Sequence, residues 1–334
     1  MSATNMQVLL ANRPVGWVKE SDFRIVETPV PTPGDGQVLV KNLYLSLDPY
    51  MRGRMNDARS YAAKVELGDV MTGETVGEIV KSNHPKFAVG DTVVGRVGWQ
   101  RYALSDGKDL RKVDPKAVPI STYLGVVGMP GVTAYIGLLD IGQPKPGETV
   151  VVSAASGAVG SVVGQLAKMK GCRAVGIAGG KAKCDFVVKE LGFDACVDHR
   201  AGDLGKALAE ATPKGIDVYF ENVGGPILDH VLLRCNPFAR IPLCGMVSQY
   251  NATDDRYGVK NLMMGVAMRI KLQGFIVSDH LDRWPEALAQ LAQWVREGKI
   301  KYRETVTEGL ENAPRAFIGL LKGENFGKQL VKLA

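Results

Sequence analysis

The spacing of apolar and polar positions changes part-way along the chain. From Gln7 to about Lys112 there are short β-rich runs such as Gln37-Val-Leu-Val-Lys41 and Gly90-Asp-Thr-Val-Val-Gly95. Turn chemistry like Pro31-Thr-Pro-Gly-Asp-Gly36 breaks them up, which predicts a small barrel-like β domain. From about Thr122 a helix-compatible segment, Val132 to Leu139, gives way to strands alternating with helical stretches. The strands read as continuous apolar runs: Thr149 to Ser153, Arg173 to Ala178, Ile216 to Phe220, Arg240 to Met246 and Leu272 to Val277, with a weaker one at Ala195 to Asp198. Continuous apolarity is what a strand covered on both faces requires, so the pattern predicts an α/β fold with a doubly wound, Rossmann-type parallel sheet. After Trp284 come an amphipathic helix, Glu286 to Glu297, and a basic β-like tail, Lys299 to Leu333, expected to return to the first domain. The predicted boundaries are 1–121 with 299–334 for the β-rich domain and 122–298 for the parallel-sheet domain.

A length of 334 residues supports two independent cores, and 46% hydrophobic with 23% charged residues is ordinary for a globular chain. No apolar run approaches the ~20 residues of a membrane span, so no membrane association is expected. The polar stretch Met1 to Gln7 lacks the features of a secretory signal, which makes the cytoplasm the expected location. All five cysteines lie between Cys172 and Cys244 without a C-x-x-C pair, and the four histidines are isolated. A disulfide framework is therefore not expected, and a cysteine-based zinc site lacks ligands. The net charge of +6 has no long basic block behind it, which disfavours nucleic acid and suits a phosphorylated small molecule.

The most informative segment runs from Val150 to Gln165: an apolar strand, a small-residue turn, then a helix with Val159, Val163 and Leu166 on its apolar face. Within it, Ala155-x-Gly157-x-x-Gly160 is a dinucleotide fingerprint with alanine in the first glycine position. Gly157 lets the backbone approach a pyrophosphate, Gly160 lets helix and strand pack closely, and the helix start offers N–H groups to the anion. A ligand-free βα turn would explain the glycines but not the ordered strand, turn, helix and following strands. NAD enzymes carry an acidic residue at the end of the second strand, about 20 residues on, for the ribose 2′-hydroxyl. Here the text is Gly176-Ile-Ala-Gly-Gly-Lys-Ala-Lys183, with no carboxylate and with Lys181 and Lys183 after two glycines. Cations at a helix start are disfavoured without an anion, so NADP(H) is expected over NAD(H); the alternative is a solvated charge pair.

Ala154-Ala-Ser-Gly-Ala-Val-Gly160, Gly128-Met-Pro-Gly-Val-Thr-Ala-Tyr135, Glu221-Asn-Val-Gly-Gly225 and Cys244-Gly-Met-Val-Ser-Gln-Tyr-Asn251 resemble the zinc-independent medium-chain reductases. Leu45-Ser-Leu-Asp-Pro-Tyr-Met-Arg52 and Gly323-Glu-Asn-Phe-Gly-Lys328 point to the branch of alkenal/one, prostaglandin and bacterial curcumin reductases. The resemblance covers nearly the whole chain. It implies a GroES-like first domain, a homodimer, and NADPH-dependent reduction of the carbon–carbon double bond of a small α,β-unsaturated ketone or aldehyde. Where zinc-dependent members of the wider superfamily have Gly-His-Glu, this chain has Thr72-Gly73-Glu74, and Gly73 cannot bind a metal.

Carried over by position, the resemblance implies that Gly157, Ala158, Val159 and Gly160 line the pyrophosphate, and that Gly180 and Lys183 meet the 2′-phosphate. Asn222 would face the cofactor, with Cys244, Gly245, Ser248, Tyr250, Phe275, Ile276, Val277 and Asn325 around its nicotinamide half. His199 stands where the family often has tyrosine; a contact there and a surface histidine with no role are both open. Tyr250 is the candidate catalytic donor, because enone reduction needs a hydrogen bond to the oxygen that gains charge, and a phenol of ordinary pKa about 10 is protonated near neutrality. Tyr50, Met51 and Tyr257 are candidate substrate walls, or core. Asp48 and Arg52 are expected to pair structurally, and Met263, Met264 and Met268 to pack. Two other readings stand beside this one, a quinone reductase of the same superfamily and a non-catalytic NADPH-binding protein.

Overall fold

The computed structural model describes residues 4–333. The chain forms two compact units, Met1–Gly125 with Glu304–Ala334, and Val126–Arg303.

In the second unit, β1 (Thr149–Ser153), β2 (Arg173–Ala178), β3 (Ala195–Asp198) and β4 (Ile216–Phe220) have the bounds read from their apolar runs. Two strands differ. β5 (Cys235–Leu243) starts well before Arg240, because a register shift and the positive φ of Phe238 interrupt its apolar run. β6 (Lys271–Gly274) stops short of Val277, leaving Phe275 to Val277 as the connection beyond its end. Among the described residues these form a six-stranded sheet in the order β3-β2-β1-β4-β5-β6, with every pairing parallel. This is the doubly wound order whose reversal between β1 and β4 opens a crevice beyond the strand C-termini.

Helix α1 (Gly160–Met169) follows β1 and is buried from Gly160 to Ala167. It lies close to its neighbours because Gly164 has no side chain: a Cβ there would fall 1.8 Å from the Phe193 ring. α2 (Lys181–Lys189) follows β2, α3 (Leu204–Ala211) follows β3, and α4 (Gly225–Leu232) follows β4. α5 (Trp284–Arg296) buries Ala287 and Leu291.

The first unit is built on the strand Val38–Ser46, which pairs antiparallel with Thr75–Ser82, Tyr102–Ser105 and Lys328–Lys332. The C-terminal tail thus returns to this sheet. It is not uniformly β-like, however: the helix Ala313–Leu321 buries Ala313, Pro314, Phe317 and Leu321. Phe317 meets Trp99 edge-on at 5.7 Å, and Trp99 stacks on Phe23 at 5.5 Å. Beside this core the expected Asp48–Arg52 pair is replaced. Asp48 accepts from Lys328 Nζ at 2.6 Å, both side chains being under 10% exposed, while Arg52 donates to the carbonyls of Pro14 and Gly16.

Removing one member of a buried ion pair strands the other charge at a cost of about 3–5 kcal/mol. Lys328→Met should therefore lower the unfolding free energy obtained from urea titration of the purified protein by about 3–5 kcal/mol, whereas an unchanged midpoint would show that water already compensates Asp48.

Candidate active site

The turn after β1 is shaped by close backbone approach. A Cβ on Gly160 would lie 2.4 Å from the Ala154 carbonyl oxygen and 2.9 Å from Ala155 Cα. These are main-chain atoms and cannot give way, so α1 can begin beside β1 only with glycine at 160. Ala154 holds φ 51, an unusual left-handed conformation for a residue with a side chain. Alanine is accommodated in the first fingerprint position because Gly176 lies beneath it: a Cβ at 176 would sit 2.7 Å from that of Ala155. No side chain caps the start of α1, which leaves the positive end of its dipole to an anion.

The second turn collects positive charge. Gly180 adopts φ 96 and ψ 145, a conformation that strongly favours glycine, and the space where its side chain would be is open. A Cβ on Gly179 would meet Arg200 Nε at 2.8 Å and His199 Nε2 at 3.0 Å, so both side chains converge over this glycine. Partial burial and the neighbouring Arg200 lower the pKa of the Lys183 ammonium, and burial followed by Arg200 does the same for His199. Positive charge crowded at one turn in this way favours binding of an anion. The nearby carboxylate, Asp198 at the end of β3, is turned inward. Its Oδ1 accepts from the N–H groups of Gly180 at 2.8 Å and Arg200 at 3.0 Å, and these bonds, Gly180's foremost, hold it below the usual carboxylate range. Lys181 is an exposed partner of Asp185 at 2.6 Å. Arg200 was not singled out from the sequence, although its place one residue after His199 at the end of a strand was a usable signal. Glycine cradle, uncapped helix start, and the Lys183 and Arg200 cations beside the His199 imidazole fit the phosphates of NADP(H).

Beyond β4 the loops are organised around Glu221, which is 0% exposed. Its Oε1 accepts from Ser153 Oγ at 2.9 Å, Tyr219 OH at 2.9 Å, and the N–H groups of Val223 at 2.6 Å and Gly224 at 2.9 Å. Oε2 is buried with no hydrogen-bond partner among the described residues. Burial pushes the carboxyl's pKa up against these donors. Asn222 is fixed by the same group of contacts, its N–H donating to Ser153 Oγ at 2.9 Å and its Nδ2 to the Ser153 carbonyl at 2.8 Å. The β5 loop then closes on the β4 loop. Cys244 and Gly245 donate to the Glu221 carbonyl, Val247 to that of Asn222, and Ser248 to that of Val223 through both N–H and Oγ. Burial, and then Glu221, push the Cys244 thiol up to about 12. The Tyr250 hydroxyl lies 2.8 Å from where a Cβ of Gly245 would be, so the missing side chain at 245 provides its seat. The structure thus brings Asn222, Cys244, Gly245, Ser248 and Tyr250 together. Phe275 packs edge-on against Phe220 at 6.2 Å, and Ile276 and Val277 follow it half-buried. Tyr257 is held by a different group, its hydroxyl donating to Asp229 at 2.7 Å.

An N-terminal domain of oxidoreductase matches residues 6–113, and a zinc-binding dehydrogenase domain matches residues 158–293. The chain is 54% identical to the NADPH-dependent curcumin reductase of Escherichia coli (strain K12) over 99% of its length and 97% of the relative's. It is 46% identical to the NADP(+)-dependent 2-alkenal reductase of Nicotiana tabacum, covering 99% and 98% of the two chains. CurA from Vibrio vulnificus, in a crystal structure in complex with NADPH, superposes with a TM-score of 0.95 at 52% identity, covering 98% and 99%. The chain belongs to the medium-chain dehydrogenase/reductase family. Within it, the chain falls in the branch of the alkenal, prostaglandin and curcumin reductases.

In the first unit of this reductase, the position of a family zinc ligand is sterically closed. A Cβ on Gly73 would fall 2.7 Å from Leu45 Cδ1 and 2.8 Å from Trp99 Cδ1. Among the described residues, no group of three or more His, Cys, Asp or Glu is arranged to hold a metal. Glu74 next to it has its carboxyl pushed up to about 7 by burial and by Asp48, against Arg111, Arg96 and Lys328. Tyr50 is half-buried, its phenol raised above the ordinary range by burial and by Asp48. Met51 departs from the expectation of a substrate wall: it is 0% exposed and belongs to the core around Leu45, Met55 and Trp99, where no ligand can touch it. Asn325 is half-buried and donates to the Gly327 carbonyl at 2.7 Å.

Proposed function

We propose that this medium-chain reductase uses NADPH to reduce the carbon–carbon double bond of α,β-unsaturated ketones and aldehydes without a metal. The observation that carries the reading is the convergence of His199 and Arg200 on Gly179, within reach of the Lys183 charge and beside the open space at Gly180, where Asp198 Oδ1 is engaged by backbone N–H groups. The 46–54% identity to curcumin and alkenal reductases supports the substrate class. The steric closure at Gly73 supports metal-free chemistry.

The backbone from Gly157 to Gly160 holds the pyrophosphate, and Gly180, Lys183, His199 and Arg200 hold the 2′-phosphate. Asn222, Cys244, Gly245 and Ser248, with Phe275 to Val277, bound the nicotinamide half. When bound, the cofactor supplies the hydride. Tyr250 contributes the O–H that donates to the substrate carbonyl oxygen and stabilises the charge it gains. Tyr257 offers an aromatic face to an apolar substrate, its hydroxyl being already committed to Asp229.

We further propose a cytoplasmic homodimer. Among the described residues no helix is long and apolar enough to cross a membrane. β6 is the edge of the parallel sheet, with Leu272 exposed on it and Leu262, Met263 and Val266 exposed on the segment leading into it. An exposed apolar edge strand invites pairing with a second copy. Sedimentation should give twice the chain mass, and Leu272→Lys should shift it towards one; a monomeric wild type would refute the dimer.

A charge-assisted contact to the 2′-phosphate is worth about 1.5–3 kcal/mol, so Lys183→Ala and Arg200→Ala should each weaken NADPH binding roughly ten- to a hundred-fold. NADH binding should hardly change. Fluorescence titration checks both, and equal losses for the two cofactors would sink the 2′-phosphate assignment.

With a chelator present, the wild type should oxidise NADPH against enals and enones. Tyr250→Phe should cut turnover by roughly ten- to a thousand-fold, the upper end being loss of one oxyanion donor, with little change in NADPH affinity. Wild-type turnover of quinones but not enones would overturn the substrate class. A variant as fast as wild type when hydride transfer limits the rate would make Tyr250 a packing residue.

A further inference from the structure

Between Tyr250 and the short helix Met264–Ala267 the chain has no regular secondary structure. It is gathered by one buried side chain, Asp229 on α4, which is 5% exposed. Asp229 Oδ2 accepts from Tyr257 OH at 2.7 Å and Oδ1 from the Asn261 N–H at 2.8 Å. The Lys260 N–H is shared between the two oxygens at 3.0 and 3.1 Å. The Asn261 side-chain amide donates to the Asp229 carbonyl at 3.2 Å.

Two further contacts tie this segment to the turn carrying Tyr250. The Tyr257 N–H donates to Gln249 Oε1 at 2.8 Å, one residue before Tyr250. The start of α4 abuts the same turn: a Cβ on Gly225 would lie 3.1 Å from Ser248 Oγ, and one on Gly224 would lie 2.9 Å from Met246 Cε. One helix therefore supports both ends of the segment that holds the phenol. Burial pushes the Asp229 carboxyl up, but the Asn261 N–H and the Tyr257 hydroxyl outweigh it and hold it below its ordinary range.

We propose that Asp229 is a positioning residue: its carboxylate fixes the segment from Gln249 to Asn261 and, through it, the placement of the Tyr250 phenol and the Tyr257 ring. The proposal rests on the reductase reading above. An aspartate that only added stability would change unfolding without changing turnover of the folded enzyme. A positioning aspartate changes turnover while leaving the remote 2′-phosphate contacts intact.

The test uses Asp229→Asn, whose amide keeps one acceptor oxygen and places a donor against the remaining partners, and Tyr257→Phe, which removes a single hydroxyl. Three quantities are read on full-length protein: hydrogen exchange of the Lys260 and Asn261 amides, NADPH affinity, and kcat and KM for an enone. In Asp229→Asn the two amides should exchange on the order of ten-fold faster. The kcat should fall on the order of ten- to a hundred-fold, the effect of displacing a catalytic group by a fraction of an ångström to an ångström. NADPH affinity should stay within about two-fold. Tyr257→Phe should move exchange and kcat in the same direction by less, and it decides the matter if Asp229→Asn does not fold. Faster exchange with unchanged kcat and KM would overturn the positioning role, and unchanged exchange would overturn the anchor itself. A wild type that binds NADPH but reduces no enone would instead defeat the reductase reading, with the exchange data still reporting on the anchor.

Discussion

A single buried oxygen, Oε1 of Glu221, holds the loops of the parallel sheet in register at the site. Four donors from three places in the chain end on it: the last residue of β1, a tyrosine within β4, and two consecutive N–H groups of the turn into α4. Each such donor left buried without a partner would cost about 1–3 kcal/mol, so the turn cannot leave the carboxylate without losing a sizeable part of a domain's net stability. Asn222 takes its position from this arrangement, since its N–H and its side-chain amide both end on Ser153. The β5 loop, with Cys244, Gly245 and the turn to Tyr250, is hydrogen-bonded to carbonyls of the β4 loop. The placement of the candidate donor thus follows, step by step, from one carboxylate.

Opposite this loop pair, the cofactor end is built from absent side chains. Gly160 allows α1 to start against the Ala154 carbonyl, Gly176 leaves room for Ala155, and Gly179 leaves room for Arg200 and His199. At Gly160 and Gly176 a Cβ would meet main-chain atoms or the Ala155 Cβ at under 3.0 Å, which makes these two positions steric requirements. The charge pattern is complementary. Asp198 Oδ1 is bonded to the Gly180 and Arg200 N–H groups, so its negative charge steadies the turn.

Much of this was legible in the chain itself. Strands β1, β2 and β4 are largely continuous apolar runs because both their faces are covered, whereas the half-buried edge strand β3 gives a weaker run. The glycine fingerprint and the missing acid before Lys183 were equally readable, since both are local. β5 starts and ends earlier than the expected run Arg240 to Met246, because Asn236 and Pro237 interrupt its apolar text and Cys244 to Met246 belong to the loop beyond it, and the helix Ala313–Leu321 lies inside a tail that reads as β and basic. Met51 was offered as a substrate wall because an apolar side chain beside Tyr50 is compatible with either surface or core.

What the sequence determined alone were the properties carried by neighbours along the chain: the alternation of strands and helices, the glycine-rich turn between β1 and α1, and the lack of a metal-ligating side chain at Gly73. What only the tertiary structure decided were the meetings of distant residues, such as Asp48 with Lys328, Arg200 with Gly179, and Asp229 with Tyr257. The physical reason is that a charged or polar side chain has many chemically acceptable partners in a sequence. Burial leaves it only those that the folded backbone brings within hydrogen-bond reach.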